Sequence, residues 1–446
     1  MQVIEPLDRA HEGGVPEPAR PVGGVAPATW VAAAGLLVAL AGFVLAQRAS
    51  GAISGLTALW LVHAVGLPLV LAALRPRLPR LLIAATLVVA VAWPGYLVVQ
   101  RIVDPPASQL AGHDGGVWVT RAAAEDVLHG RNPYAQTFDD DLPAEWLRIS
   151  TGGEPFANPI TTIYPYLPGA FLAVAPLAAL PGGTDLGDPR VLMLATFALA
   201  MLLVARDRSP GWARVATLAA STGPLVAIHL AYGTNDTWSA ALVVVAALLA
   251  TRWPRTAALA LGLAISVKFL VVLAVLPFGL WLWDRGGWAA LRRWWPTPAF
   301  LLATCLPFLV AGPRAFLDDT LLFWAGANDR PFPTSGFGLP AVAPDVFQGP
   351  LLGLTTLLLA LAGLAGAVLL VRRLPGHPGI LPVATAVAMV GVLVPARTFQ
   401  GNYLVAVAGL LATGWLVVGD RRGGAEPEGA DRPDDAAADR EVPAAT

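Results

Sequence analysis

Long apolar blocks, each about 15 to 25 residues and broken by short polar punctuation, run through most of this chain. That is roughly the length of helix needed to cross the hydrocarbon layer of a bilayer. The pattern predicts spans near 28–47, 53–74, 80–100, 189–205, 213–230, 237–250, 255–267, 269–283, 296–312, 350–371, 380–396 and 402–418, each flanked by Pro, Gly or charge. An all-α, polytopic transmembrane protein of about 12 or 13 spans follows. The first block, Ala28 to Ala46, is longer than a signal-peptide core and further spans follow it, so a retained helix is expected.

Two stretches break the rhythm. The block Ile163 to Leu180 carries Pro165, Pro168 and Pro176, and reads as a re-entrant or short helix rather than a crossing. The stretch 255–283 is too long for one ordinary span and has arginines at both ends, which suggests a hairpin of two short helices with Lys268 near its apex; a single tilted helix is the alternative.

Arginines gather at Arg75/Arg77/Arg80, Arg206/Arg208/Arg214, Arg252/Arg255, Arg285/Arg292/Arg293, Arg372/Arg373 and Arg421/Arg422. The positive-inside rule makes these connections cytoplasmic. Both termini then lie inside, and 101–188, the turn 231–236 and 313–349 lie outside. The expected organisation is a disordered cytoplasmic segment 1–27 rich in Pro and Gly, a transmembrane domain 28–420 whose large external loop is 101–162, and a disordered cytoplasmic tail 421–446. The external loop is acidic: residues 101–160 hold nine Asp and Glu against four Arg.

Composition sharpens this picture. Apolar residues make up 56% of the chain and charged residues 13%, outside the usual range for a soluble domain. A net charge of -1 offers no electrostatic case for nucleic acid as a partner. The one cysteine, Cys305, lies within an apolar block, which rules out a disulfide framework or a thiolate metal site. Trp281, Trp283, Trp288, Trp294 and Trp295 cluster at one edge and read as an aromatic belt.

Candidate chemistry sits mainly in the external loop. His113-Asp114-Gly115-Gly116 leads into a helix expected over Val117–His129, closed by Gly130 and followed by Asn132-Pro133-Tyr134, ordinary stop signals. Trp118 and Leu128 at its ends suggest a helix resting on the membrane surface. Asp114 stands where an N-cap would, and a carboxylate there is also placed to take a proton from an attacking hydroxyl. The two roles are compatible. Asp139-Asp140-Asp141 has a spacing that suits a divalent cation, but no further oxygen ligand is supplied nearby, and a solvated charge run is the simpler reading.

The run from Asp114 to Tyr134, followed by Ile163-Tyr-Pro-Tyr-Leu-Pro168 and Ala175-Pro-Leu177, resembles the glycosyltransferase-C superfamily, and most nearly glycosyltransferase family 87, the polyprenyl-phosphate-mannose-dependent mannosyltransferases. The likeness continues in Tyr232-Gly-Thr-Asn-Asp236 and in Gly262-Leu-Ala-Ile-Ser-Val-Lys268 leading on to Pro277. It implies a glycosyltransferase-C arrangement of spans with external loop helices. It also implies inverting transfer of mannose or another sugar from a polyprenyl-phosphate donor to a lipid or glycan acceptor of the cell envelope. The family's catalytic acid maps onto Asp114, with His113, Tyr134, Tyr164, Asn235 and Asp236 as substrate-binding candidates. No cofactor and no metal are implied. The chain departs from the pattern at Val117-Trp118, where an aliphatic-Tyr pair is usual, and in the longer stretch Ala135 to Pro159.

Lys268 is the one lysine of the chain and lies between apolar stretches, where an ionisable group is costly and by default suggests function. In the family-like reading it faces the donor phosphate. Arg397 is a second phosphate candidate because a guanidinium binds phosphate oxygens bidentately. Snorkelling and boundary anchoring are the plainer readings of these two, and turn formation that of Asn235 and Asp236. A transporter or lipid flippase is the rival class, in which Lys268 and Asp236 serve as substrate or proton-coupling groups; no convincing internal repeat supports it.

Overall fold

The computed structural model describes residues 91, 94–103, 116–149, 155–180, 186–206, 224–329, 334–347, 349–374 and 376–419. The spans expected at 28–47 and 53–74, most of that at 80–100, the first part of 213–230, and His113 and Asp114 lie outside the described residues.

The described chain is mostly helical. Numbered in order, with single-turn helices left unlabelled, α1 covers 94–103, α2 Gly116–Leu128, α3 Gly169–Ala178, α4 Pro189–Arg206, α5 Pro224–Tyr232, α6 Asn235–Leu249, α7 Pro254–Val267, α8 Val275–Arg292, α9 Pro296–Ala311, α10 Gly349–Arg373, α11 Ile380–Leu393 and α12 Gly401–Gly419. Proline starts α4, α5, α7 and α9, where its fixed φ suits a helix and its missing N–H removes a donor that has no partner in the first turn. Two short strand pairs complete the fold: β1 (Arg148–Ile149) antiparallel to β2 (Phe156–Ala157), and β3 (Ser335–Gly336) parallel to β4 (Thr398–Phe399).

Three described helical segments are long and apolar enough to cross a membrane: Pro189–Arg206, Phe269–Arg292 and Gly349–Arg373. Six further apolar helices of 10 to 17 residues pack among them. The surface of α10 shows the environment it is built for. Leu351, Leu354, Leu357, Leu358, Leu361 and Leu369 are exposed on it, while Gly363, Ala367 and Val371 are buried. An outward face of leucine is stable against hydrocarbon and costly in water. On the inner side α10 meets α11 backbone to backbone: a Cβ added at Gly363 would lie 2.9 Å from the Cα of Gly391. Small residues at such crossings bring whole helices into dispersion contact, the main attraction available between helices in lipid.

The core is centred on α6, every residue of which is buried except Leu248. It packs against α4, α7 and α12. The stretch 163–180 contains a 10-residue helix, α3, too short to cross a bilayer, in line with the reading of a short helix. The stretch 255–283 breaks at Lys268, whose backbone is extended (φ -144°, ψ 108°) between α7 and a 3-10 turn, Phe269–Ala274.

Two expectations need correction. Helix α2 begins one residue early and does more than rest on a surface: Val117, Val119, Ala122, Ala123 and Ala124 are buried and the helix packs against α3. Its alanines let the two helices approach closely. Of the five clustered tryptophans, Trp283, Trp288 and Trp295 are exposed as a belt requires, but Trp281 and Trp294 are core residues, with Arg285 stacked 3.7 Å above the Trp281 ring. Their indoles fill the space between α8 and its neighbours, which helical spacing alone does not reveal.

Candidate functional site

One polar pocket collects residues far apart in the chain. Gly116 and Tyr166 reach it from the first long connection, Gly233, Thr234, Asn235 and Asp236 from the turn before α6, Trp324 from the connection after α9, and Thr398, Gln400, Asn402 and Tyr403 from the start of α12. Lys268 enters from the break between α7 and the 3-10 turn. All three connections that the arginine pattern puts on one side of the membrane therefore supply lining residues, and so does the expected hairpin apex.

At its centre is a buried ion pair. Lys268 Nζ lies 3.3 Å from Asp236 Oδ1, and Asn402 Nδ2 donates to Asp236 Oδ2 over 2.5 Å. The ammonium also sits over three aromatic rings, 4.7 Å from the centroid of Tyr403, 4.9 Å from Trp324 and 5.7 Å from Tyr166. Ring quadrupoles and a carboxylate offset part of the desolvation cost of burying a cation. The lysine is thus held at a fixed point in the pocket wall instead of snorkelling outward.

Local chemistry explains how these residues reach one place. Gly233 takes a left-handed backbone (φ +71°) that ends α5, and Thr234 follows in extended backbone at the N-cap position of α6 without a side-chain cap bond, so Asn235 and Asp236 form its first turn. A carboxylate there is favoured by the helix dipole. Arg190, almost fully buried, donates from its backbone N–H to Asp188 (2.8 Å), pairs its guanidinium with the same carboxylate (2.6 Å) and donates to the Ala231 carbonyl (3.3 Å). This pair ties the start of α4 to the turn. Trp324 is aimed by its indole N–H, which donates to the Pro165 carbonyl (2.8 Å), while the Tyr164 N–H donates to Asp319 (3.0 Å). Asp319 lies in a π-helical turn, Asp318–Leu322, a widening that re-aims side chains and recurs at functional sites.

The sequence candidates among the described residues divide into four groups. Asn235, Asp236 and Lys268 come together in the pocket. Tyr134 and Tyr164 do not line it: they are buried in an aromatic cluster with Phe171, Phe308 and Phe316, and the Tyr134 hydroxyl donates to the Tyr166 carbonyl (2.8 Å). Burial pushes both phenols above their usual range, so neither serves as a base near neutral pH; they hold up the segment that carries Tyr166. Arg397 lies at the edge, directly before the lining residue Thr398, with its guanidinium against the left-handed Gly326. Asp139, Asp140 and Asp141 are exposed, and no cluster of His, Cys, Asp or Glu suited to a metal occurs among the described residues. Sequence reasoning missed Asn402, Tyr403, Trp324 and the Asp188–Arg190 pair. A polar residue opening an otherwise apolar helix was the available signal for Asn402.

Gly233 offers a direct test of this assembly. A Cβ there would fall 2.0 Å from Val117 Cγ2 and 3.1 Å from Arg190 Cγ, whereas at Gly130, also left-handed (φ +72°), it would meet nothing within 4 Å. Gly130→Ala is expected to cost only the backbone term, about 1–2 kcal/mol. Gly233→Ala adds overpacking of roughly 1–3 kcal/mol and displaces α2 from the pocket. Thermal unfolding of the two variants in the same detergent checks this, and equal losses would mean that α2 is not seated as described.

Fold and site together define a mostly helical protein with three helices long and apolar enough to cross a membrane and a polar pocket built where its connections converge. Comparison with protein-family models, curated proteins and solved structures returns no match to this chain.

Proposed function

We propose that the protein is a membrane glycosyltransferase of the kind its sequence resembles, similar to family 87 of the glycosyltransferase-C superfamily, with about 12 or 13 spans in the plasma membrane. It transfers a sugar, mannose or another hexose or pentose, from a polyprenyl-phosphate donor to a lipid or glycan acceptor on the extracytoplasmic side. The observation that carries this reading is that Gly116 lines the same pocket as Asp236 and Lys268. Gly116 follows Asp114 by two positions in the sequence, which supports assigning the acid and the cation to one reaction centre.

In this mechanism Asp114 takes the proton of an acceptor hydroxyl as its oxygen attacks the anomeric carbon. The bond from that carbon to the phosphate oxygen breaks with its electron pair on the phosphate, and the configuration inverts. Lys268 and Arg397 stabilise the charge that gathers on the departing lipid phosphate. Lys268 is balanced by Asp236 beforehand, so the phosphate competes for a cation that is already positioned.

A second reading has its own observation. An ionisable pair next to an interrupted helix, as at Lys268 and Asp236, is also how transporters build substrate and coupling sites. Proteoliposomes given a radiolabelled polyprenyl-phosphate mannose and a crude acceptor-lipid fraction separate the two. Label appearing in a new glycoside supports the transferase. Label crossing the bilayer with the donor chemically unchanged supports the transporter and overturns our reading.

A further inference from the structure

Two carboxamides in the pocket are left with unused hydrogen-bonding capacity. Asn235 is 5% exposed, and neither its Oδ1 nor its Nδ2 has a partner among the described residues. Asn402 is 3% exposed; its Nδ2 is engaged by Asp236, but its Oδ1 has no partner among the described residues. Buried polar atoms are nearly always paired, because leaving them bare forfeits the bonds they made to water. Three bare atoms on two side chains around one cavity therefore point to a ligand that completes them.

The kind of ligand follows from what these atoms offer. A primary carboxamide presents donors and an acceptor side by side, the complement of two neighbouring hydroxyls, each of which both donates and accepts. The orphaned Asn402 oxygen adds a second acceptor. The charges of the pocket wall, Asp236 and Lys268, already face each other. The pair has no net charge, so it gives a charged ring no net attraction to offset that ring's desolvation.

We infer that Asn235 and Asn402 are the specificity-determining residues of the pocket, a carboxamide pair that reads adjacent hydroxyls of an uncharged ring. This rests on the transferase reading only in taking that ring to be the sugar of the lipid-linked donor. Asn235 also controls the sign of the preference. It occupies the first turn of α6, where an added carboxylate is favoured by the helix dipole, so Asn235→Asp is expected to fold and to turn a neutral recognition surface into an anionic one.

The experiment uses the full chain in lipid nanodiscs and three probes with the same short prenyl phosphate, carrying mannose, protonated glucosamine or glucuronate. Binding is read by saturation-transfer NMR and competition. The wild type is expected to favour the mannose probe at least tenfold over both charged rings. Asn235→Leu is expected to lose about tenfold for mannose, one net hydrogen bond's worth, and Asn235→Asp to rank glucosamine first. Equal binding of the three rings, no binding of any, or an undiminished mannose affinity in Asn235→Leu overturns the inference. Failures of the two ideas remain distinguishable. Selective binding with no glycoside formed leaves the amide pair standing and sinks the transferase, whereas transfer at equal rates from charged and neutral donors does the reverse.

Discussion

Asp114→Asn is expected to lower sugar transfer by roughly 10²–10⁴-fold, the usual contribution of a positioned general base, while donor binding changes little. The reasoning is one of protonation. Asparagine keeps the shape of the side chain, but it cannot accept a proton from the acceptor hydroxyl. Stability and catalysis therefore separate: the thermal transition should stay within about 1 kcal/mol of wild type. Single-turnover transfer from a labelled donor measures the rate, and donor competition in nanodiscs measures the binding. Unchanged transfer would remove Asp114 as the base, and a parallel loss of folding would make its role chiefly structural. The variant also bears on the rival class, because transport that survives the substitution would favour a carrier.

Lys268→Met is expected to produce the largest loss of stability of any single substitution in the pocket, roughly 3–5 kcal/mol, the range for removing one partner of a buried pair. The pair is well buried, with Lys268 8% and Asp236 2% exposed. Methionine preserves most of the volume against Tyr403 and Trp324 but leaves the Asp236 carboxylate with Asn402 as its remaining donor among the described residues. The diagnostic partner is Lys268→Met combined with Asp236→Leu. Replacing both charges by apolar groups removes the orphaned anion, and buried pairs exchanged in this way are often neutral for stability. The double variant should therefore recover most of the loss while remaining inactive. Thermal unfolding across the four-member cycle isolates the coupling between the two residues. Additive losses would show that the pair is not coupled and that the lysine owes its place to the aromatic rings alone.

The Asp188–Arg190 pair serves a different purpose. It lies outside the pocket, joins the start of α4 to the Ala231 carbonyl, and so fixes the chain just before Gly233. Its charge is spent on geometry: the turn it supports delivers Asn235 and Asp236 to the first turn of α6.

Sequence by itself determined the helical class, because apolar blocks of span length admit few structures other than helices. It marked the break at Lys268, because a lone lysine between apolar runs is costly and thus conspicuous. It also indicated the short helix in 163–180, through three prolines that a crossing helix would not readily accommodate. Only the tertiary structure decided that Lys268 pairs with Asp236, that Tyr166 rather than Tyr134 or Tyr164 lines the pocket, and that Asn402 completes it. The physical reason is one of range. Helical periodicity and the cost of buried charge act within a segment and can be read along it. Which buried group meets which depends on helix crossings set by contacts such as Gly363 on Gly391 and Gly169 on Ser266, and such crossings bring together residues as distant in sequence as Asp236 and Asn402.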